Sequence, residues 1–103
     1  MDTARLLQSQ FKTMLYTAGQ SVLVHNNWNT ATASTFELRG LKSWLVSNPA
    51  QIVFQFSRRV EIGPGSVLQT KGGQDLWKAI EVKDHLVGRE YIKFEVWVAS
   101  LIP

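Results

Sequence analysis

Cysteine is absent from the 103 residues, which excludes a disulfide scaffold, a thiolate metal site and a cysteine nucleophile. Histidine is nearly absent, with only His25 and His85. Neither has carboxylates at a metal-ligand spacing, so no metal and no cofactor is expected. No apolar run approaches the roughly 18 residues of a membrane span, and Met1-Asp2-Thr3-Ala4-Arg5 does not open a signal peptide. Charge is sparse, at 18% of residues against about 25% in ordinary domains. Glycine is present but not in phosphate-binding form. Gly63-Pro64-Gly65 and Lys71-Gly72-Gly73 match neither nucleotide-loop pattern and lead into no helix, so they read as turns.

The net charge is +3, but the basic residues are dispersed among acidic ones. Only Arg58-Arg59 forms an adjacent pair, whereas a nucleic-acid binder concentrates its cations on one face. Glu61, Asp75, Glu81, Asp84 and Glu95 are candidates for acid–base work by type alone. Asp84-His85 is the single acid–histidine neighbour pair, and adjacent strand residues point apart. No reaction is specified, and no enzyme is expected.

What is abundant is β-pattern. One helix opens the chain, over residues 2–17. Leu7, Phe11, Met14 and Leu15 repeat on one face of a 3.6-residue period, and Leu6 widens that stripe. Asp2 or Thr3 is placed to cap its start, and Ala18-Gly19 to end it in a left-handed turn. The stripe is expected to pack on a sheet.

Short strands then follow. Val22-Leu23-Val24 is the first, and a polar loop, His25 to Ser34, carries Trp28 between Asn27 and Asn29. Alternation resumes over Thr35 to Val46, with a phase change at Gly40 that predicts a bulge or sharp bend. Ser47 to Ala50 is a turn. Ile52, Phe54 and Phe56 alternate cleanly, and Val60 and Ile62 keep their phase, as in one long strand or a bent pair. A hairpin spans Gly63 to Val82, with Leu76, Ile80 and Val82 on its inward face. Lys83 to Glu90 reads as a loop. Ile92, Phe94, Val96 and Val98 then share one face of the last strand, opposite Tyr91, Lys93, Glu95 and Trp97. The fold expected is mainly β: a single domain, residues 1–103, with a small antiparallel barrel or sandwich over 20–98.

The stretch Gly65-Ser66-Val67-Leu68, then Gly73, Trp77 and Ile80, a glycine-bearing loop at Gly88 and the closing strand Tyr91 to Val98 resembles the head–tail connector proteins of tailed bacteriophages, of the head-closure, adaptor and tail-completion type. It departs from them at Ser66, where an acidic residue is common, and in the longer Gly72-Gly73-Gln74-Asp75 turn. The resemblance implies a non-catalytic virion subunit, present in host cytoplasm before assembly. It implies a homo-oligomeric ring between portal and tail proteins, with DNA passing through it and no membrane or small-molecule substrate. Contacts would then come from loops: Asn26, Asn27, Trp28 and Asn29 as an aromatic anchor in a polar setting, with Arg58, Arg59, His85 and Arg89 as secondary contacts. The alternative is a small barrel that binds single-stranded nucleic acid or a host protein, drawing on Trp77, Trp97, Tyr91 and Lys93 beside the arginine pair.

Overall fold

A computed structural model describes residues 3–45 and 51–101. The proposed Asp2 cap, Val46 and the turn at Ser47 to Ala50 lie outside the described residues. Helix α1, Thr3–Ala18, is followed by six strands: β1 Gln20–Asn26, β2 Ser34–Leu45, β3 Gln51–Phe56, β4 Val67–Thr70, β5 Trp77–Val87 and β6 Glu90–Ser100. They close into a barrel in the order β1-β2-β3-β6-β5-β4, and every pairing is antiparallel. Pairing of β1 with β4, Val22 opposite Thr70 to His25 opposite Val67, completes the circuit.

The interior follows the alternation. Val22 and Val24 from β1, Ile52, Phe54 and Phe56 from β3, Leu68 from β4, Ala79 from β5, and Phe94, Val96 and Val98 from β6 form one buried cluster. Burying each large side chain contributes about 1.5–3 kcal/mol. Ile62 belongs to the same cluster, although the strand expected through Val60 and Ile62 is not formed. β3 ends at Phe56, and the chain runs irregularly to β4. Ile62 therefore plugs the barrel from a loop, and Val60 packs against the cluster from outside.

Gly40 carries no bulge. β2 pairs with β1 up to Gln20 opposite Gly40, and then with β3 from Leu41 opposite Gln55. The residue where β2 changes partners is the one whose Cβ would lie 2.5 Å from the Phe56 ring. The bulge lies instead in β5. The register passes from Ala79 opposite Val98 to Glu81 opposite Trp97, so Ile80 is the extra residue. It turns out to solvent at 51% exposure, while Ala79 and Val82 face the core. The inward placement expected of Ile80 is thus overturned by one inserted residue.

A second irregularity skips Ile92, between His85 opposite Lys93 and Leu86 opposite Tyr91. Ile92 is buried but outside the barrel cluster, which Tyr91 joins in its place. The loop expected over Lys83 to Glu90 is mostly strand. β5 continues to Val87, and Gly88-Arg89 makes a two-residue turn, with Gly88 at φ +61°. Glycine at the first turn position is what a II′ hairpin requires.

Helix α1 packs outside the barrel against β6 and β2. Phe11 and Leu15 cluster with Leu41, and the Gln8 amide donates to the Tyr91 carbonyl at 2.7 Å. Its end is fixed from β2: Arg39 donates to the carbonyl of Leu15 (2.9 Å), which also accepts from the Gly19 N–H, and to that of Tyr16 (2.8 Å). Gly19 stops the helix by close approach and not by a left-handed turn, because a Cβ there would collide with the Leu15 carbonyl oxygen.

In chemical denaturation, Phe54→Ala is expected to cost about 3–5 kcal/mol and Ile80→Ala less than about 0.5 kcal/mol. A large loss at Ile80 would contradict the bulge. Arg39→Ala is expected to cost about 1 kcal/mol and to fray the last turn of α1, seen as faster amide exchange there.

Candidate functional site

Three surfaces gather the candidate residues, and they do not merge into one. The first is a cleft of about 690 Å³ beside the β1–β2 loop, lined by Asn26, Asn27, Trp28, Glu61, Ser66 and Lys78 among others. Its walls are tied together. Ser66 Oγ donates to Asn26 Oδ1 at 2.5 Å and accepts from the Gly63 N–H at 3.2 Å, while Asn26 Nδ2 donates to the Glu61 carbonyl at 2.9 Å. Asn27 and Asn29 hold φ values of +55° and +60°, a left-handed conformation that asparagine tolerates better than most residues. The N–H and hydroxyl of Thr30 both donate to the Asn27 carbonyl.

Trp28 leans on His25, with ring centroids 5.0 Å apart at 57°. His25 itself is fixed across three strands. Gln69 donates through Nε2 to the Gly73 carbonyl, which leaves its Oε1 to accept from His25 Nε2 at 3.2 Å. His25 Nδ1 then accepts from the Thr35 hydroxyl at 2.8 Å. The tryptophan loop is therefore a braced hairpin connection.

The second surface is a barrel mouth of about 850 Å³, where Arg58 and Arg59 stand over Phe36, Val60, Val82 and Phe94. Arg59 reaches Asp84 at 3.7 Å. Asp84 also accepts from the Tyr91 hydroxyl at 2.8 Å. Burial, then this hydrogen bond and the Asp84 charge, push the Tyr91 phenol above its usual range.

The third surface is a groove of about 280 Å³ between α1 and the β5–β6 hairpin, lined by Leu7, Phe11, Met14, His85, Leu86 and Val87 among others. A polar chain crosses the outer barrel wall at its floor. Gln55 Nε2 donates to Ser43 Oγ at 2.9 Å, and Lys93 Nζ donates to Gln55 Oε1 at 2.9 Å. Lys93 lies 3.5 Å from Glu95, and His85 Nε2 lies 2.5 Å from the other oxygen of Glu95. Glu95 is buried. Asp84 and His85 serve opposite faces of β5, as adjacent strand residues must. Arg89 sits exposed in the turn at the hairpin tip.

Ser66 and Lys78 in the cleft, and Leu86 and Val87 in the groove, are not among the contact residues expected from the sequence, and Glu61 and Lys93 are expected only for acid–base work and for nucleic-acid binding, respectively. The apolar pair Leu86-Val87 beside Gly88 was a usable signal, since hydrophobic residues flanking a two-residue turn mark a hairpin tip. Glu61 and Ser66 carry no such signal, because their places depend on an irregular segment. Among the described residues, no cluster of His, Asp and Glu is arranged to hold a metal, and no helix is long and apolar enough to cross a membrane. No family model matches the chain, and no curated protein or solved structure is significantly similar to it.

Ser66→Ala is expected to destabilise the fold by about 1–3 kcal/mol, because Asn26 Oδ1 and the Gly63 N–H lose their partner. Limited proteolysis should then cut the Asn27–Ala33 loop faster. In an alkaline absorbance titration, Tyr91 is expected to ionise later than a free phenol, whose pKa is about 10. Because the folded value is the raised one, this contribution to stability is full below about pH 10 and falls as pH rises beyond it. Tyr91→Phe should remove the late-titrating component.

Proposed function

We propose that this chain is a structural subunit of a tailed-bacteriophage head–tail connector, which assembles with copies of itself into a ring and meets portal, connector or tail proteins on either side. The observation that carries the reading is the distribution of apolar surface. Leu6, Leu7, Met14, Tyr16, Trp44, Ile80, Leu86 and Val87 are between 38 and 81% exposed, on a helix, a hairpin and strand ends and not inside one enclosed pocket. Surface of that kind suits protein partners. The hairpin and closing strand that carry the resemblance supply the β4–β5–β6 wall, a rigid scaffold on which loops are free to differ. The braced Trp28 loop then serves as a contact to a neighbouring protein, and the reading includes no catalysis. On the same reading, the subunit belongs to the virion once assembled, and DNA passes through the ring.

Single-stranded nucleic acid is the weaker reading. The ammonium of Lys42 stands 4.8 Å from the Trp77 ring centre and that of Lys83 4.8 Å from Trp97, so a lysine already covers one face of each indole that a base would stack on.

Sedimentation velocity across a concentration series, with negative-stain imaging, is expected to show a closed ring or its intermediates, promoted by portal or tail protein. A strict monomer under all of these conditions would overturn the reading. Tight, salt-dependent binding to oligonucleotides would favour the rival.

A further inference from the structure

We infer that the groove between α1 and the β5–β6 hairpin receives Trp44 of a second copy of this chain, in a head-to-tail contact. The inference rests on the ring reading above and supplies its subunit joint.

The helix carries more apolar surface than the barrel covers. Phe11 and Leu15 are buried, but Leu7 remains 38% and Met14 52% exposed. Across from them Leu86 and Val87 are 54% and 38% exposed, and the buried Ile92 forms part of the lining between. The resulting space, about 280 Å³, lies just under the roughly 300–1,000 Å³ of small-molecule sites and suits one large side chain. Its floor is electrically specific. The Lys93 ammonium, 5.9 Å from the Phe11 ring centre, is positioned to meet the negative face of a second aromatic ring. The Gln10 amide in the lining offers an acceptor for an indole N–H.

The same chain carries a matching knob. Trp44 is 64% exposed. It lies opposite Ile52, in the part of β2 that β1 no longer flanks, because β1 begins opposite Gly40. Nothing among the described parts of the fold closes over it. Ile52 in turn lies opposite Val98, while the groove floor is at Ile92 and Lys93 on the same strand. Five residues of strand, at about 3.3 Å each, put knob and groove roughly 17 Å apart along the barrel. A knob and a groove at different places on one molecule cannot satisfy each other within it. They make a heterologous contact that repeats from copy to copy and closes into a ring when the rotation allows.

The test uses two variants of the full chain, alone and mixed, in sedimentation velocity. Trp44→Ala removes the knob, and Met14→Lys adds a cation beside Lys93 and blocks the groove. Both positions are exposed and both substitutes suit their surroundings, and circular dichroism checks that each variant folds. Each alone is expected to weaken self-association at least about 30-fold, as truncation of an aromatic hot spot does. Mixed, they should form pairs that stop at two copies, since only one knob and one groove remain intact. Wild-type assembly by Trp44→Ala, or a mixture that stays monomeric, would overturn this joint while leaving the ring reading in place. A wild-type chain that never assembles, alone or with portal or tail protein, would remove both.

Discussion

The barrel depends on one place where two elements occupy nearly the same space. Phe56 puts its ring against the backbone of Gly40, at the residue where β2 leaves β1 and takes up β3. A strand that serves two partners in succession lets a 12-residue element link both halves of a six-stranded circuit. Any side chain at that position would force the Phe56 ring out of the cluster it shares with Phe54 and Phe94. The closure of β4 on β1 then follows, because Leu68 and Val24, cross-strand neighbours, are drawn to the same interior.

The outside of the barrel is governed by a different balance. The chain Ser43–Gln55–Lys93–Glu95–His85 runs across four adjacent strands beside α1. A buried carboxylate is tolerable only with charge and hydrogen-bond partners, and Glu95 has both. This polar strip limits how much apolar helix the wall can accept. Phe11 and Leu15 settle over Leu41, and the remainder of the stripe is left facing the hairpin. The groove therefore results from an apolar helix set beside a partly polar wall.

Much of the architecture was legible in the sequence, and what was not has identifiable causes. The helix, β3 and the inward Phe94, Val96 and Val98 follow from periodicity alone. Ile80 and Ile92 were misplaced because a bulge changes phase without changing composition. Val82, two positions beyond Ile80, nonetheless remains inward. The run Lys83 to Glu90 was misread because β5 beyond Ala79 is flanked only by β6, so most of its side chains are exposed and it has the polar composition of a loop. Of the suggested contact residues, Asn26, Asn27 and Trp28 do share a cleft, whereas Arg58 and Arg59, His85, and Arg89 are distributed over other parts of the surface. Their grouping required the path of Ser57 to Ser66, which no local pattern encodes.

The closure is also incomplete along its length, and the two uncovered edges differ. Past Ala79, β5 has a free edge, and it is blunted by the Ile80 bulge and by Lys83 and Asp84, devices that discourage another strand from pairing there. Past Gly40, from Leu41 to Leu45, no described strand pairs with β2 on the side away from β3, and this edge has no bulge and a single charge, Lys42. An edge that is defended on one side and open on the other, with an exposed tryptophan on the open side, is the asymmetry that the head-to-tail joint inferred above would use. Two defended edges would keep the chain solitary, and two open ones would invite uncontrolled pairing. On that inference, association would run through the β2 end of one copy and the helix–hairpin groove of the next.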